Sequence, residues 1–272
     1  MTTTQQAKAE LLHELHVPGA PLVLANVWDG ATARLVAATG APALATASAS
    51  VSWTRGVRDG GGLDLAGSLA QTALVVRAVD VPVTADLEDG LAEDAAGVGR
   101  TVTELLALGA VGMNLEDGTA TGLRPVAEAA ERVAAAREAA EAAGVRLYLN
   151  ARTDVFLSGG GDVEDAVERA RAYLAAGASG IFVPGPTDPA LITELLAALP
   201  GVLLNVGGGP GTPTVAETAA LGVARISLGP GLARVAYAAV RRAAEEVYGS
   251  GSYGSLTGGL EYGELNALFD RP

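Results

Sequence analysis

The chain has 272 residues, 49% of them hydrophobic, a net charge of −13 and no cysteine. That is ample for one large core or two small ones, and it excludes disulfides, zinc–thiolate centres and a cysteine nucleophile. The acidic balance argues against a nucleic-acid partner, because no basic surface is present to release counterions.

Aromatic residues are only 4%, so the core must be built from Ala, Val, Leu and Ile. Lys8 is the only lysine, and His13 and His16 are the only histidines. The body of the chain therefore has no Schiff-base lysine, no Ser-His-Asp triad and no imidazole metal ligand. Chemistry there must use carboxylates, arginine, hydroxyls, amides, backbone or a bound metal.

The start, MTTTQQAKAELLHELH, reads as a polar helix without an apolar signal core. No later run is long enough to span a membrane, and a cytoplasmic enzyme is the expectation. Pro18-Gly19 marks a turn, after which short apolar runs recur: 22–25, 43–46, 81–85, 111–115, 146–149, 180–183, 202–204 and 224–228. Each is short and continuous, as expected for strands buried on both faces of a parallel sheet. Between them, 63–79, 95–108, 125–143, 162–176, 188–199, 213–221 and 232–248 have helical period. Several open on a cap: Gly161-Asp162, Thr187-Asp188-Pro189 and Thr212-Pro213. Gly40, Gly109, Gly144, Gly177 and Gly222 each stand between a helical stretch and an apolar run, where a left-handed glycine ends a helix.

Helix, glycine stop and strand thus repeat at about 30–40 residues per unit, a βα unit. Eight such units in ~250 residues predict a (β/α)8 barrel. A doubly wound open sheet shares the alternation, but the glycine fingerprint of a dinucleotide fold is missing after the first run. The barrel with its N-terminal helix is expected over residues 1–248. Residues 249–272 then form a glycine- and serine-rich linker to Gly259 and an amphipathic helix, Leu260 to Phe269, that must dock on its own barrel or a neighbouring subunit.

A barrel keeps its site at the C-terminal strand ends. Those ends carry Asn26, Ser48, Asp86 with Glu88, Asn114 with Glu116, Asn150 with Arg152 and Asp154, Asn205, and Ser227. Each has a plainer reading. Asn26 and Asn150 fit loop bonding, Asp154 fits a cap for the next turn, and Arg152 fits a partner for Glu116 or Asp86. An arginine ringed by acids also suits a carboxylate or phosphate clamp. The third strand end, VPVTADLEDG, aims two carboxylates at one spot, where they repel by roughly 4 kcal/mol at an effective dielectric near 20. Asp86, Glu88 and Glu116, with no lysine or histidine near, suit a hard oxygen-preferring cation such as Mg2+. Asp89 reads as a loop residue facing away. The run Gly207 to Gly211 fits an anion site or an ordinary loop.

Taken together these pieces carry a family likeness. Asn26–Arg34 (NVWDGATAR), Gly40–Ser52, Gly56–Asp59, Val81–Gly90, Gly112–Gly118 (GMNLEDG), Asn150–Asp154 (NARTD) and Ala224–Arg234 (ARISLGPGLAR) resemble the isocitrate lyase and phosphoenolpyruvate mutase superfamily in order and spacing. The resemblance implies a Mg2+-dependent barrel, with Mn2+ as the alternative metal, that makes or breaks a C–C or P–C bond beside the carbonyl of a 2-oxo acid. It implies Asp86 as the direct metal ligand, and Glu88, Glu116 and Asp59 as acids holding the metal's waters. It implies that the Ala47–Ser48–Ala49 turn receives the substrate through backbone N–H groups, that Arg152 clamps it, and that Asn205 sits on the far side. It also implies last helices exchanged between subunits in a dimer or dimer of dimers.

Two departures matter. The lyases carry a Lys-Arg-Cys-Gly-His gate after the fourth-strand glutamate and the mutases a lysine and an asparagine; here stands Thr119-Ala120-Thr121-Gly122-Leu123-Arg124. Glu88 replaces the usual aspartate, and Gly185 a frequent glutamate. Isocitrate and methylisocitrate lyase activities are therefore not expected. The reading is a lyase or hydrolase cleaving a C–C bond in an oxaloacetate-like 2-oxo acid through an enolate, with Asp59, Arg152 and Ser48 as catalytic residues. The alternatives are a phosphonopyruvate or phosphoenolpyruvate mutase or hydrolase, and a non-catalytic binder of 2-oxo dicarboxylates such as 2-oxoglutarate.

Overall fold

The computed structural model describes residues 4–158, 160–186 and 188–270; Thr187, expected in a helix cap, lies outside them. Eight parallel strands form the barrel: β1 Leu22–Leu24, β2 Leu44–Ala45, β3 Val83–Asp86, β4 Gly112–Glu116, β5 Tyr148–Arg152, β6 Gly180–Val183, β7 Leu204–Gly207 and β8 Arg225–Ser227. They pair in sequence order from β2 to β8, and β8 returns to β1. The seam between β1 and β2 is closed by the Val27 N–H, which donates to Ala45 O at 2.8 Å, and by the Asn26 amide, which donates to Thr46 O at 2.7 Å.

All eight expected strands are present, and six start later than the apolar runs suggested, β3, β5 and β7 by two residues. β3 begins after Pro82, which has no N–H for the ladder. β5 runs from Tyr148 to Arg152 rather than from 146 to 149, so Asn150 and Arg152 are strand residues and not loop residues. β7 likewise takes in Asn205 and reaches Gly207. Burial explains the shift. The inward positions of these strands are polar, so an apolar run is a poor guide to where the strand ends.

The helices are α1 Gln5–Glu14, α2 Gly30–Ala38, α3 Ser48–Thr54, α4 Leu65–Ala78, α5 Ala95–Ala107, α6 Val126–Ala142, α7 Val163–Ala175, α8 Pro189–Ala198, α9 Val215–Ala220, α10 Gly231–Ser250 and α11 Tyr262–Ala267. α2 and α3 were not read from the sequence; α3 is a short inserted turn of helix. Caps start most of the others. Asp29, Asp64, Asp94, Asp162, Asp188 and Thr214 each accept a first-turn N–H. The five stop glycines all have positive φ, between 67° and 103°.

The main core lies between the strands and the helix ring. α5 contributes Val98, Val102, Leu105 and Leu106, and α6 contributes Ala129, Val133, Ala136 and Ala140. Ala-rich faces let these two helices lie close together. The barrel floor is a second core, where Ala9 and Leu12 of α1 meet Leu22, Leu24, Ala43, Ala45 and Tyr148. His16 stacks on Tyr148 at 3.7 Å between ring centroids. The N-terminal helix is therefore the barrel's plug.

After α10 the glycine- and serine-rich stretch makes one helical turn at Gly254–Leu256. Glu246 accepts the Gly254 and Ser255 N–H groups at 2.7 and 2.6 Å. α11 then returns to the same chain, where Arg34 of α2 donates to Leu268 O at 2.9 Å and lies over the Phe269 ring. No helix of the described residues is long and apolar enough to cross a membrane.

Candidate active site

Side chains alternate along a strand, and register decides which share the interior. Glu116 pairs with Arg152, Arg152 with Phe182, Phe182 with Asn205, and Asn205 with Arg225. On the other side Asp86 pairs with Asn114 and Asn114 with Asn150. The barrel interior is thus apolar at the floor and polar from mid-height upward.

Asp86 ends β3 facing the start of α3. Its Oδ2 accepts the Ser48 N–H at 3.0 Å, and its own N–H donates to Thr46 Oγ1 at 2.9 Å. A carboxylate at a helix N-terminus is stabilised there by the helix dipole. The Ser48 N–H, expected to meet a substrate, is therefore given to Asp86. Ala47 and Ala49 flank it, both buried, Ala47 as the N-cap without a side-chain bond. Asp86 Oδ1 is buried and has no hydrogen-bond partner.

Glu88 takes a left-handed backbone, φ 50°, which few residues other than glycine adopt. Its Oε2 accepts the Gly61 N–H at 2.9 Å, tying it to the loop after α3 that carries Asp59. Asp59 itself is exposed. Burial pushes Glu88 up to about 7, against the Gly61 bond, with Asp59, Asp86 and Asp89 adding to the rise. Glu116 is pushed above the usual carboxylate range by burial, against the opposing pull of Arg152. Among the described residues no three acids or histidines come together as a metal cage.

Arg152 is held on two sides. Its Nη1 lies 2.8 Å from Glu116 Oε2, and its Nε and Nη2 donate to the two oxygens of Asp154 at 2.6 and 3.0 Å. The guanidinium lies 5.7 Å from the Phe182 ring centroid. Asp154 is therefore a fork partner for Arg152, not a helix cap. Asn205 is buried; its Nδ2 donates to Ser227 Oγ at 3.1 Å, and its Oδ1 is without a partner. The Gly207–Gly211 run gives two of its N–H groups to the chain itself, Gly208 to Ser227 O and Gly209 to Thr212 Oγ1.

Two features of the site had not been assigned from the sequence. Asp117, fully buried, accepts from Tyr173 Oη at 2.6 Å, Arg169 Nη1 at 3.0 Å and the Asp154 N–H at 2.9 Å. It stands one residue past Glu116, so it faces the helices while Glu116 faces the mouth. Arg225, 1% exposed, sits inside the barrel and donates to Ser227 Oγ at 3.1 Å and Asn114 Oδ1 at 3.3 Å. Burial lowers its pKa to about 10. An arginine inside an apolar strand run was the available signal. Asp89 does face away, as expected, but toward α6, where it pairs with Arg124 at 2.5 Å and lies 3.7 Å from Arg132.

The residues expected as a gate form a small hairpin, Gly118–Thr119 against Gly122–Leu123. Its exit is pinned. The Arg124 N–H donates to Asp117 O at 2.9 Å, Arg169 Nη1 donates to Arg124 O at 2.9 Å, and the Arg124 side chain reaches Asp89 and Glu128.

Residues 12–248 match the family described as phosphoenolpyruvate phosphomutase. The chain belongs to this family. It is an enzyme of the superfamily that joins these mutases to the lyases. A phosphoenolpyruvate phosphomutase of Streptomyces hygroscopicus is 31% identical over 98% of this chain and 89% of its own length. The 2,3-dimethylmalate lyase of Eubacterium barkeri is 30% identical, over 74% of this chain and 72% of its own. Among solved structures, a candidate lyase or mutase of Burkholderia cenocepacia J2315 superposes with a TM-score of 0.93 at 36% identity, covering 98% of both chains. The mutase and lyase branches are thus both near relatives, and the site has to distinguish them.

Proposed function

We propose that this family member is a divalent-metal-dependent lyase or hydrolase that cleaves a C–C bond in a small oxaloacetate-like 2-oxo acid. The observation behind this is one arginine, Arg152, facing a set of carboxylates in a barrel whose body has no lysine, histidine or cysteine. The gate position argues in the same direction. Its hairpin carries no lysine for a phosphoryl group, and Arg124 is turned to Asp89 and Glu128.

The carboxylates fit a metal. Asp86 has a buried oxygen without a partner, and burial works against the charge on Glu88 and Glu116. Among the described residues Asp86 and Glu88 have no cationic side chain bound to them, Glu116 has only Arg152, and all donors are oxygens, the set preferred by Mg2+ and accepted by Mn2+. Asp86 would bind the ion, with Glu88, Glu116 and Asp59 around its waters. When bound, Mg2+ would act as a Lewis acid toward the 2-oxo group.

The chain's own residues supply the rest. Arginine has five N–H donors, and three serve Asp154 and Glu116. The remaining two are available for a substrate carboxylate, held in one orientation because the guanidinium is fixed on two sides. The C–C bond breaks by loss of the terminal carboxylate as CO2, or by addition of water at the carbonyl carbon and release of an oxalate-like acid. Either leaves an enolate on the other fragment, whose charge would meet Arg152 and the N-terminal turn of α3. The proton returns from water held by the acids, Asp59 included. α10 buries only Ala233 among its residues and leaves Val235 and Val240 each 67% exposed. That face suits a second subunit, in keeping with a dimer or dimer of dimers.

The whole-length likeness to a phosphoenolpyruvate phosphomutase favours a second reading, phosphonate chemistry on phosphonopyruvate. A calorimetric panel of 2-oxo acids and phosphonates, with and without Mg2+ and followed by product analysis, separates the readings. Turnover of a 2-oxo acid only with Mg2+, lost in Asp86→Ala, supports the proposal. A phosphorus NMR change on phosphonopyruvate transfers it to the mutase branch. Mg2+-dependent binding of 2-oxoglutarate without turnover of any panel member makes the protein a binder, and silence throughout the panel ends the reading.

A further inference from the structure

The Glu88 turn is the most strained stretch of the site. Glu88 and Leu91 both have φ of 50°, with Gly90 at 93° between them. A left-handed residue other than glycine costs on the order of 1–3 kcal/mol and persists only where its surroundings over-determine it. The backbone bonds of the turn show what does so. The Glu88 carbonyl accepts from Glu116 N–H at 3.0 Å, the Leu87 carbonyl from Gly90 N–H at 2.8 Å, and the Gly90 carbonyl from Thr101 Oγ1 at 2.8 Å. The carbonyls of Asp89, Ala92 and Glu93 all go to one side chain. Arg132 Nη2 donates to Asp89 O at 2.8 Å and Ala92 O at 2.6 Å, and its Nη1 to Glu93 O at 3.2 Å.

Arg132 lies on α6 and is 2% exposed. Its guanidinium has no close carboxylate partner of the usual kind; Asp89 Oδ2 stands 3.7 Å away and is engaged by Arg124 at 2.5 Å. A buried arginine capped by three carbonyls is an expensive arrangement for mere helix packing. A planar fork can serve three carbonyls curled around it, and a lysine ammonium, a single point of charge, has no such reach.

We propose that Arg132 is a positioning residue of the active site: its guanidinium holds the turn after β3 in the strained form that brings the Glu88 carboxylate beside Asp86 and the Gly61 N–H. This rests on the reading of Asp86 and Glu88 as a metal site, and Arg132 acts on it only through the backbone. Arg124 has a different task, the Asp89 carboxylate, and contributes little to the Glu88 turn.

The test is Mg2+ calorimetry together with hydrogen exchange of the 88–93 amides, on the full chain well below its melting temperature. Arg132→Lys keeps the charge and is expected to weaken Mg2+ about tenfold, the scale for loss of an outer-shell partner, while those amides exchange faster and the α7 amides do not. Wild-type Mg2+ affinity and wild-type exchange in Arg132→Lys overturn the proposal. Arg124→Gln removes the Asp89 ion pair and no partner of the three carbonyl bonds, and is expected to stay within about twofold of wild type; a tenfold loss there overturns it as well, by giving Arg124 the role. If the wild-type protein itself takes up no Mg2+, the metal reading falls, and exchange at 88–93 alone decides for or against Arg132.

Discussion

The two sides of the barrel mouth are built differently. On the side of β3 to β5, Asp89 is bound to Arg124, Arg152 to Glu116 and Asp154, and Asp117 to Arg169 and Tyr173, while among the described residues Asp86 and Glu88 accept only backbone N–H groups. On the side of β7, β8 and α10, the loops are glycine-rich, and Trp53, Tyr237 and Val235 line an open groove of about 870 Å3. The first side is complete within one chain. The second is a surface that a substrate substituent or a second subunit would finish. On the proposed function, chemistry belongs to the charged side, and the apolar side is left for a substituent or a partner.

The largest effect that would break this contrast is removal of Asp117. Its carboxylate is buried and serves Arg169, Tyr173 and the Asp154 N–H. Asp117→Ala removes the carboxylate that pairs with the half-buried Arg169 and leaves the Tyr173 hydroxyl and the Asp154 N–H without their acceptor. Breaking a buried pair by removing one member costs about 3–5 kcal/mol. Urea unfolding should show a loss of that size, and a loss below about 1 kcal/mol means that the charged side is not held as described.

Below both sides lies the floor, where His16 stacks on Tyr148 and pH gives the next test. Burial lowers His16 from 6.5 to about 3, with Arg225 adding to the fall and the bond to Leu12 O opposing it. Because the folded value lies below the unfolded one, the unfolded chain binds more protons between about pH 6.5 and 3. Stability is then fully present above pH 6.5 and is lost as the pH falls through that window. From pH 7 to pH 5 the loss from His16 is about 2 kcal/mol, at 1.36 kcal/mol per unit. His13, lowered to about 4 chiefly by burial, acts in the same direction. His16→Phe keeps the ring against Tyr148 and removes the larger part of this slope; an unchanged acid slope places the titration elsewhere.

How much of this was legible follows from which face a residue serves. The repeat of helix, glycine stop and strand was readable because each step has a local cause: a cap, a left-handed glycine, a run buried on both faces. The placing of Asp86, Glu116 and Arg152 at the barrel mouth was readable because each ends a strand. Arg225 and Asp117 were not assigned, since each stands beside residues of opposite facing and only register separates them. Arg132 was illegible for another reason. It lies mid-helix in α6 with charged neighbours at similar spacing, and its partners are backbone carbonyls about 40 residues away, which no side-chain pattern encodes. The late start of β5 has the same origin, because polar inward residues hide a strand from any search for apolar runs.

The smallest effect on stability tests the apolar side. Val235 and Val240 lie on α10, both two-thirds exposed, and surface substitutions away from caps and cores cost within about 0.5 kcal/mol. Val235→Glu with Val240→Glu should leave the melting of the separated chain nearly unchanged, because neither side chain packs against its own barrel. The same pair should disrupt association if α10 meets a second subunit, since two carboxylates would enter an apolar contact without partners. Light scattering behind size exclusion would then read a single chain where the wild type reads a dimer or larger. A wild type that already runs as one chain removes the second subunit from the argument and leaves the groove to the substrate. In that case, the double variant should change substrate preference while the Mg2+ affinity of the charged side stays the same.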